Sequence, residues 1–185
     1  HWSDLDWLRS VTNMPIVIKG IQTAEDARLC AENGVEGLVV SNHGGHALDG
    51  TEGTIDMLPE VVDAVGNSLE VYVDGGIRHG SDVLKCLALG AKAAFIGRPI
   101  FWGLSVDGQD GLSHILEILR DELDVAMGLC GLSDIKNASP SLVSYPGSRN
   151  HRGGLIASLD RLVELLEQGY IERNEFDLLK AKLLN

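Results

Sequence analysis

The sequence has few cysteines and no long apolar run. Cys30, Cys86 and Cys130 are the three cysteines among 185 residues, and no Cys-x-x-Cys or Cys/His spacing accompanies them. We therefore expect neither a metal site nor a disulfide framework, and the pattern favours a reducing, cytoplasmic setting. The sequence contains no run of about 18 uncharged apolar residues, so no membrane-spanning helix is expected.

The sequence also has few basic residues. The chain has 15 Lys and Arg against 27 Asp and Glu, which gives a formal net charge of −12 at pH 7. Because phosphate backbones and anionic membrane surfaces repel such a protein, we expect neither as a partner. The apolar fraction of 44% is ordinary and sufficient for one hydrophobic core.

Four short apolar runs alternate with segments of helical periodicity. The runs are residues 15–19, 37–41, 70–74 and 93–96. Their apolar residues are continuous rather than alternating, which is typical of parallel strands covered by helices on both faces. Thr23 and Ser81 are the expected N-caps of two intervening helices, and longer helical patterns cover residues 55–65 and 110–127. The sequence therefore predicts an α/β protein made of four βα units.

The chain changes character after about residue 142. Residues 144–157 are polar, contain glycine and lack periodicity, which is typical of a linker. Two amphipathic segments follow, at 158–168 and 174–184, and predict a helical hairpin over residues 158–185. A hairpin of this size buries little surface, so we expect it to dock on the main domain of residues 1–143 or on a partner.

In a parallel α/β barrel, functional groups lie where the strands end. The first predicted strand ends at Lys19, whose ammonium group either meets an anionic partner or emerges into solvent. The loop after the second contains four glycines, acidic residues, His43 and His46. Glycines let a backbone approach a ligand, and histidine exchanges protons near neutral pH. This loop is therefore predicted to belong to an active site.

The third and fourth strand ends each carry glycine and arginine before a helix. Asp74-Gly75-Gly76-Ile77-Arg78 follows the third strand, and Gly97-Arg98-Pro99 follows the fourth. Backbone N–H groups at a helix N-terminus, together with an arginine fork, bind anions such as phosphate. Barrels commonly build a phosphate site after their last two strands. We therefore predict the C-terminal half of a TIM (β/α)8 barrel.

Six motifs of residues 1–143 occur in a fixed order. They are PIVIKG at 15–20, TAEDA at 23–27, SNHGG at 41–45, DGGIR at 74–78, LALGA at 87–91 and IGRP at 96–99. The series resembles the C-terminal half of the FMN-dependent α-hydroxy-acid oxidase and dehydrogenase family, which includes glycolate oxidase, lactate oxidase and mandelate dehydrogenase. The resemblance implies FMN as cofactor and oxidation of an α-hydroxy acid, or a related alcohol or amine, as a small-molecule substrate.

The same resemblance implies roles for individual residues. His43 would be the catalytic base, Lys19 would stabilise negative charge on the reduced flavin, and Ser41 would hydrogen-bond the flavin ring. His46 would contact the substrate. The residues implied in binding the phosphate are Asp74, Gly75, Gly76, Ile77, Arg78, Gly97 and Arg98.

Two features depart from the family pattern. His46 stands where the family usually carries an arginine that binds the substrate carboxylate, and a neutral imidazole cannot form that bidentate fork. We therefore expect a substrate that is larger or not a simple carboxylate, or else one bound by protonated His46. The first half of the barrel is also missing, since a whole barrel usually takes about 250 residues. We expect a separate or upstream N-terminal half-barrel to cover the open sheet edges, and the complete protein to form a homo-oligomer.

Two alternatives compete with an FMN oxidoreductase. Another phosphate-binding barrel enzyme, such as an isomerase or synthase, would account for the glycine–arginine loops without flavin. A non-catalytic half-barrel that serves as a binding or assembly module would account for the missing half and for His46. The complete set of loop residues favours the oxidoreductase.

Overall fold

Residues 1–144, 162, 163, 166 and 172–184 are described from a computed structural model of the chain. The chain divides into two units, His1–Leu142 and Val143–Asn185. Apart from a few single residues, the predicted linker and the first predicted hairpin helix lie outside the described residues. Among the described residues, no helix combines the length and the apolarity needed to cross a membrane, and no group of His, Cys, Asp and Glu is arranged to hold a metal ion.

Strands and helices alternate through the first unit. The strands are β1 (Val17–Ile21), β2 (Gly37–Val40), β3 (Glu70–Asp74) and β4 (Ala93–Phe95). The helices are α1 (Asp4–Val11), α2 (Ala24–Glu32), α3 (Thr54–Val65), α4 (Gly80–Ala88) and α5 (Arg98–Leu129), and α6 (Arg173–Leu184) belongs to the second unit. Single 3-10 turns occupy His43–Gly45, Ile135–Asn137 and Pro140–Leu142.

The strands form one parallel sheet in the order β1-β2-β3-β4. Val39 of β2 pairs with Lys19 of β1 on one side and with Tyr72 of β3 on the other. Since consecutive parallel strands are joined by helices, this topology confirms the α/β prediction of four βα units. It also brings all four carboxyl ends of the strands to the same edge of the sheet.

The core lies between the central strands and the helices that cover them. Every residue of β2 is buried, as are Leu58 and Val61 of α3 and Cys30 of α2. Burial, with a smaller effect of the nearby Asp26 charge, raises the pKa of the Cys30 thiol to about 11. Burial likewise raises the pKa of Cys86 to about 12. Both thiols are therefore protonated packing groups at neutral pH.

The edge strands are more exposed than the central ones. Val17 of β1 is 45% exposed and Phe95 of β4 is 44% exposed. Trp7 and Met14, which precede β1, are also exposed apolar residues. Unpaired edges that carry apolar side chains are a surface that proteins normally cover.

Strand β1 differs from its prediction. It runs from Val17 to Ile21 rather than over residues 15–19, because the backbone N–H of Ile16 donates to a Glu36 carboxylate oxygen instead of joining the sheet. Pairing then continues past a register shift at Gly20, whose φ is 101°. Lys19 therefore lies within the strand and not at its end.

Two helices also differ from their predictions. Ser81 is not the cap of α4, which begins at Gly80 after His79; the Asp82 carboxylate accepts from the N–H groups of Arg78 and His79 instead. Helix α5 begins at Arg98 and not near residue 110. It is broken at Asp107 and Gly108, so that the predicted helix is only its second arm.

Gly80 lies where the start of α4 meets α5. A Cβ at this position would lie 2.6 Å from the carbonyl carbon of Glu122 and against backbone atoms of Leu119 and Leu123. Because helix backbone cannot yield as a side chain does, we predict that Gly80→Ala lowers the free energy of unfolding by about 1–3 kcal/mol. Chemical denaturation measures the change.

Gly128→Ala is the matched control. A Cβ at Gly128 would meet nothing within 4 Å, and alanine is the better helix former, so this variant should gain up to about 1 kcal/mol. Wild-type stability in Gly80→Ala would contradict the close packing of α4 on α5.

Candidate active site

A cleft of about 680 Å³ opens where the four strands end. Its lining residues are Lys19, His43, Gly44, Gly45, His46, Asp74, Gly75, Gly76, Ile77, Arg78, Phe95, Ile96, Gly97, Arg98, Pro99 and Phe101. All the candidate site residues of the sequence analysis except Ser41 are among them. Ser41 is 1% exposed and is hydrogen-bonded to Lys19.

A three-residue cluster connects β1, β2 and β3: Lys19 lies within β1, Ser41 follows β2 and Asp74 ends β3. Lys19 Nζ lies 2.7 Å from Asp74 Oδ2 and donates to Ser41 Oγ at 2.8 Å. The ammonium group therefore has an anionic partner rather than emerging alone into solvent. Since the Lys19 side chain is 45% exposed, the pair adds little to stability. Its effect is to hold a positive charge in the cleft lining.

Asp74 retains an unsatisfied oxygen. Its Oδ1 is buried and has no hydrogen-bond partner among the described residues. A buried acceptor left in this state costs about 1–3 kcal/mol, and Asp74 lines the cleft. An N–H or O–H donor of a bound ligand would satisfy this oxygen.

The loop after β2 holds His43 in a rare backbone conformation. Its φ is 56°, and it is the single non-glycine residue with positive φ in the described part of the chain. Gly44 and Gly45 continue with φ of 68° and 70°. The His43 N–H donates to Ser41 Oγ at 3.1 Å. Strain of this kind persists where surrounding contacts impose it, and it concentrates at functional sites.

Gly75 and Gly76 form the turn after β3, with φ of 94° and 76°. A Cβ on Gly75 would lie 3.0 Å from Thr54 Oγ1, and the Thr54 hydroxyl donates to the Gly75 carbonyl at 3.3 Å. A side chain here would therefore be both strained and crowded. Arg78, three residues on, has its guanidinium 5.5 Å from the centre of the Trp102 ring, a cation–π distance.

The start of α4 offers fewer free donors than the sequence suggested. Asp82 occupies the N–H groups of Arg78 and His79, and Glu122 Oε2 accepts from the Gly80 N–H at 2.8 Å. By contrast, three N–H groups have no acceptor among the described residues, those of Gly76, Ile77 and Gly97. An anion would therefore bind at the glycine turns rather than on the helix end itself.

The two arginines carry uncompensated charge. No carboxylate of the described residues pairs with the guanidinium of Arg78 or of Arg98. Arg98 Nη2 instead donates to the Gly44 carbonyl at 2.8 Å. The cleft therefore has unpaired positive charge on the side formed by β3 and β4.

Sequence reasoning missed several residues of the site. Phe95 and Phe101 line the cleft, and Trp102 lies under Arg78. The available signal was the aromatic residues on either side of the glycine–arginine motif. Asn42 was also missed: its Nδ2 donates to the Glu52 carbonyl, while its Oδ1 is buried without a partner.

The family described as FMN-dependent dehydrogenase matches residues 1–145. The chain belongs to this family. It is 52% identical to 2-hydroxyacid oxidase 1 of Mus musculus over 142 residues, which are 77% of this chain and 38% of the relative. It is 49% identical to L-lactate oxidase of Nostoc sp. over 142 residues, 77% of this chain and 39% of that enzyme. This FMN-dependent dehydrogenase chain thus spans about two-fifths of the length of the curated relatives it matches.

Solved structures agree with the family assignment. A mandelate oxidase mutant with a monooxide FMN adduct superposes with a TM-score of 0.72 and 49% identity, covering 75% of this chain and 44% of the other. Mandelate oxidase with benzoyl-formic acid has the same TM-score of 0.72 and identity of 49%, with 75% of this chain and 41% of the other covered. The predicted fold class, part of a TIM barrel, is confirmed, and FMN is the cofactor of the family.

Acid should weaken the start of α4. Hydrogen bonds from the Gly80 N–H and from His79 lower the pKa of Glu122 below 4.5. Burial alone would raise the pKa of Asp82, but hydrogen bonds from Arg78, His79 and Lys85 outweigh it and leave that pKa below 3.8. Groups with a lowered folded pKa stabilise the fold above their ordinary pKa, and this stabilisation is lost as the pH falls through the lowered value.

We therefore predict that wild-type stability falls as the pH drops below about 4.5, the ordinary value for Glu122, and that Glu122→Gln shows a smaller fall. Urea unfolding at neutral and acid pH measures the difference. Glu117→Gln, an exposed change on the same helix, should keep the wild-type pH dependence. Identical pH dependence in Glu122→Gln and wild type would count against the role of this carboxylate.

Proposed function

We propose that this chain is the C-terminal half of an FMN-dependent enzyme that oxidises a 2-hydroxy acid, or a related alcohol or amine, with His43 as the base. One observation carries the proposal: His43, the Lys19–Asp74 pair and two unpaired arginines line a single cleft in a member of the FMN-dependent dehydrogenase family. Neither alternative, a flavin-free phosphate-binding enzyme or a non-catalytic module, is favoured by that membership.

The cleft fits FMN in charge and in hydrogen-bonding capacity. Arg78 and Arg98 supply forks for a phosphate, and the neighbouring glycine turns supply free N–H groups. The unsatisfied Oδ1 of Asp74 would accept a hydrogen bond from a donor of the cofactor. Lys19 and the buried Ser41 stand at the end of the sheet where the flavin ring would be held. When bound, FMN supplies the acceptor for two electrons.

The chain's own residues set up the proton transfer. The imidazole of His43 takes a proton from the substrate, in a cleft where Lys19 supplies a positive charge. Ser41 accepts from both Lys19 Nζ and the His43 N–H, so one hydroxyl positions the base and the cation together. His46 lies in the same loop and lines the cleft, and we assign it to the substrate side.

The site is completed by an N-terminal half-barrel. This proposal is supported by the chain's coverage of 38% of a relative such as 2-hydroxyacid oxidase 1 and by the exposed apolar residues of β1 and β4. Assembly of the complete protein into a homo-oligomer, and a cytoplasmic location, stay predictions. The relative from Oryza sativa subsp. japonica is named as peroxisomal.

Flavin binding tests the cofactor assignment. The full chain is titrated with FMN and with riboflavin, which lacks the phosphate, alone and with the N-terminal half of 2-hydroxyacid oxidase 1 as a separate chain. Flavin fluorescence reports binding. We predict that Arg78→Met weakens FMN binding about tenfold, because a charged hydrogen bond is lost, and leaves riboflavin binding unchanged.

Arg120→Met is the matched control, since Arg120 pairs with Asp121 on the exposed surface of α5 and should leave both affinities unchanged. Failure of FMN to bind with and without the N-terminal half would contradict the cofactor assignment. Equal losses for FMN and riboflavin in Arg78→Met would contradict its contact with the phosphate.

Flavin reduction by substrate tests His43. In the reconstituted enzyme without oxygen, we predict that His43→Gln slows the loss of flavin absorbance after mixing with a 2-hydroxy acid by roughly 100-fold or more, because the general base is removed. FMN affinity should be unchanged. His114→Gln, an exposed change on α5, should keep the wild-type rate. A wild-type rate in His43→Gln would contradict this assignment. If the wild-type enzyme fails to reduce the flavin, that result would favour a non-catalytic module.

A further inference from the structure

We propose that Arg98 is a positioning residue that connects the anion-binding side of the cleft to the His43 loop, residues 43–46. The inference rests on the proposed function, in which His43 is the base and the cleft binds a phosphate group. It assigns Arg98 a second role: its guanidinium group sets the conformation of the loop that carries His43.

The His43 loop is held by two contacts from outside itself. Beneath it, Ser41 Oγ accepts from the His43 N–H at 3.1 Å. Arg98, which follows edge strand β4 and is 54 residues further along the chain, donates from Nη2 to the Gly44 carbonyl at 2.8 Å. Because His43 has a φ of 56°, the loop needs such support to keep its strained residue in place.

The fit between Arg98 and the loop is close. A Cβ on Gly44 would lie 2.9 Å from Arg98 Nη2, so the guanidinium is seated directly against the loop backbone. Arg98 is the first residue of α5, and Pro99, which follows it, is buried. The base of the arginine side chain is therefore fixed while its guanidinium end reaches across the cleft.

The Arg98 guanidinium group has N–H donors that the contact with Gly44 does not use. Arginine carries five N–H donors in a planar fork, and the Gly44 contact uses one of its nitrogens. No carboxylate of the described residues pairs with Arg98, and the residue lines the cleft. An anion that binds the remaining donors would hold the guanidinium plane, and so hold the Gly44 carbonyl.

Arg78 shows that this arrangement is not common to both arginines. Its guanidinium rests on Trp102 and makes no hydrogen bond to the His43 loop. Both arginines can attract an anion, but only Arg98 is tied to the loop. Arg78 therefore provides a control that removes the same charge without removing the contact.

Amide hydrogen exchange in the flavin-free full chain tests the inference. The reporters are the N–H groups of Gly45 and His46, which close the turn by donating to Asn42 and His43. We expect Arg98→Met to speed their exchange about tenfold, the effect of losing one charge-assisted hydrogen bond. Exchange in Arg78→Met should match wild type, and the β2 amides of Val39 and Val40 should be unchanged in both variants.

Inorganic phosphate is the second probe, because a merely structural contact would not respond to it. Phosphate should slow exchange of the Gly45 and His46 amides in wild type and leave it unchanged in Arg98→Met. Arg98→Lys, which keeps the charge and a donor, should recover part of the protection lost in the methionine variant.

Wild-type exchange in Arg98→Met would overturn the proposal, as would equal acceleration of Val39 and Val40, which would mean general destabilisation. A phosphate effect of the same size in Arg98→Met would overturn the coupling to an anion. The measurement needs no flavin, so a failure of FMN binding would defeat the proposed function without altering this result.

Discussion

The site depends on two contacts of the Lys19 ammonium group: an ion pair with Asp74 and a hydrogen bond to Ser41. These residues come from three neighbouring strands, and the cluster forms only because the sheet places β2 between β1 and β3. Ser41 then accepts a second hydrogen bond, from the His43 N–H, so the loop geometry follows from the strand order.

The fold and the cleft follow largely from local sequence patterns. Continuous apolar runs predicted the four strands, and glycine–arginine pairs after two of them predicted which residues line the anion-binding side. What could not be predicted depends on contacts between distant residues. Glu36 takes the Ile16 N–H and shifts the start of β1, while Glu122 and Asp82 occupy the donors at the start of α4. Arg98 meets Gly44 across the sheet, and no spacing in the sequence signals that contact.

The half-sheet accounts for surface features that an isolated domain would not explain. The central strands are covered by helices, whereas β1 and β4 keep apolar residues exposed at both edges. The relatives extend well beyond the length of this chain. The N-terminal half-barrel that we propose would cover these edges and close the cleft at the same time.

The cleft lining is positively charged, whereas the chain as a whole is negatively charged. The lining contains three cationic side chains, those of Lys19, Arg78 and Arg98, and one carboxylate, that of Asp74. The chain as a whole carries a net charge of −12. An approaching anion is repelled by most of the surface and attracted at this opening, so the field guides it in a preferred direction. Dissolved salt screens both the attraction at the cleft and the repulsion from the rest of the surface, with a screening length of about 10 Å at 0.1 M.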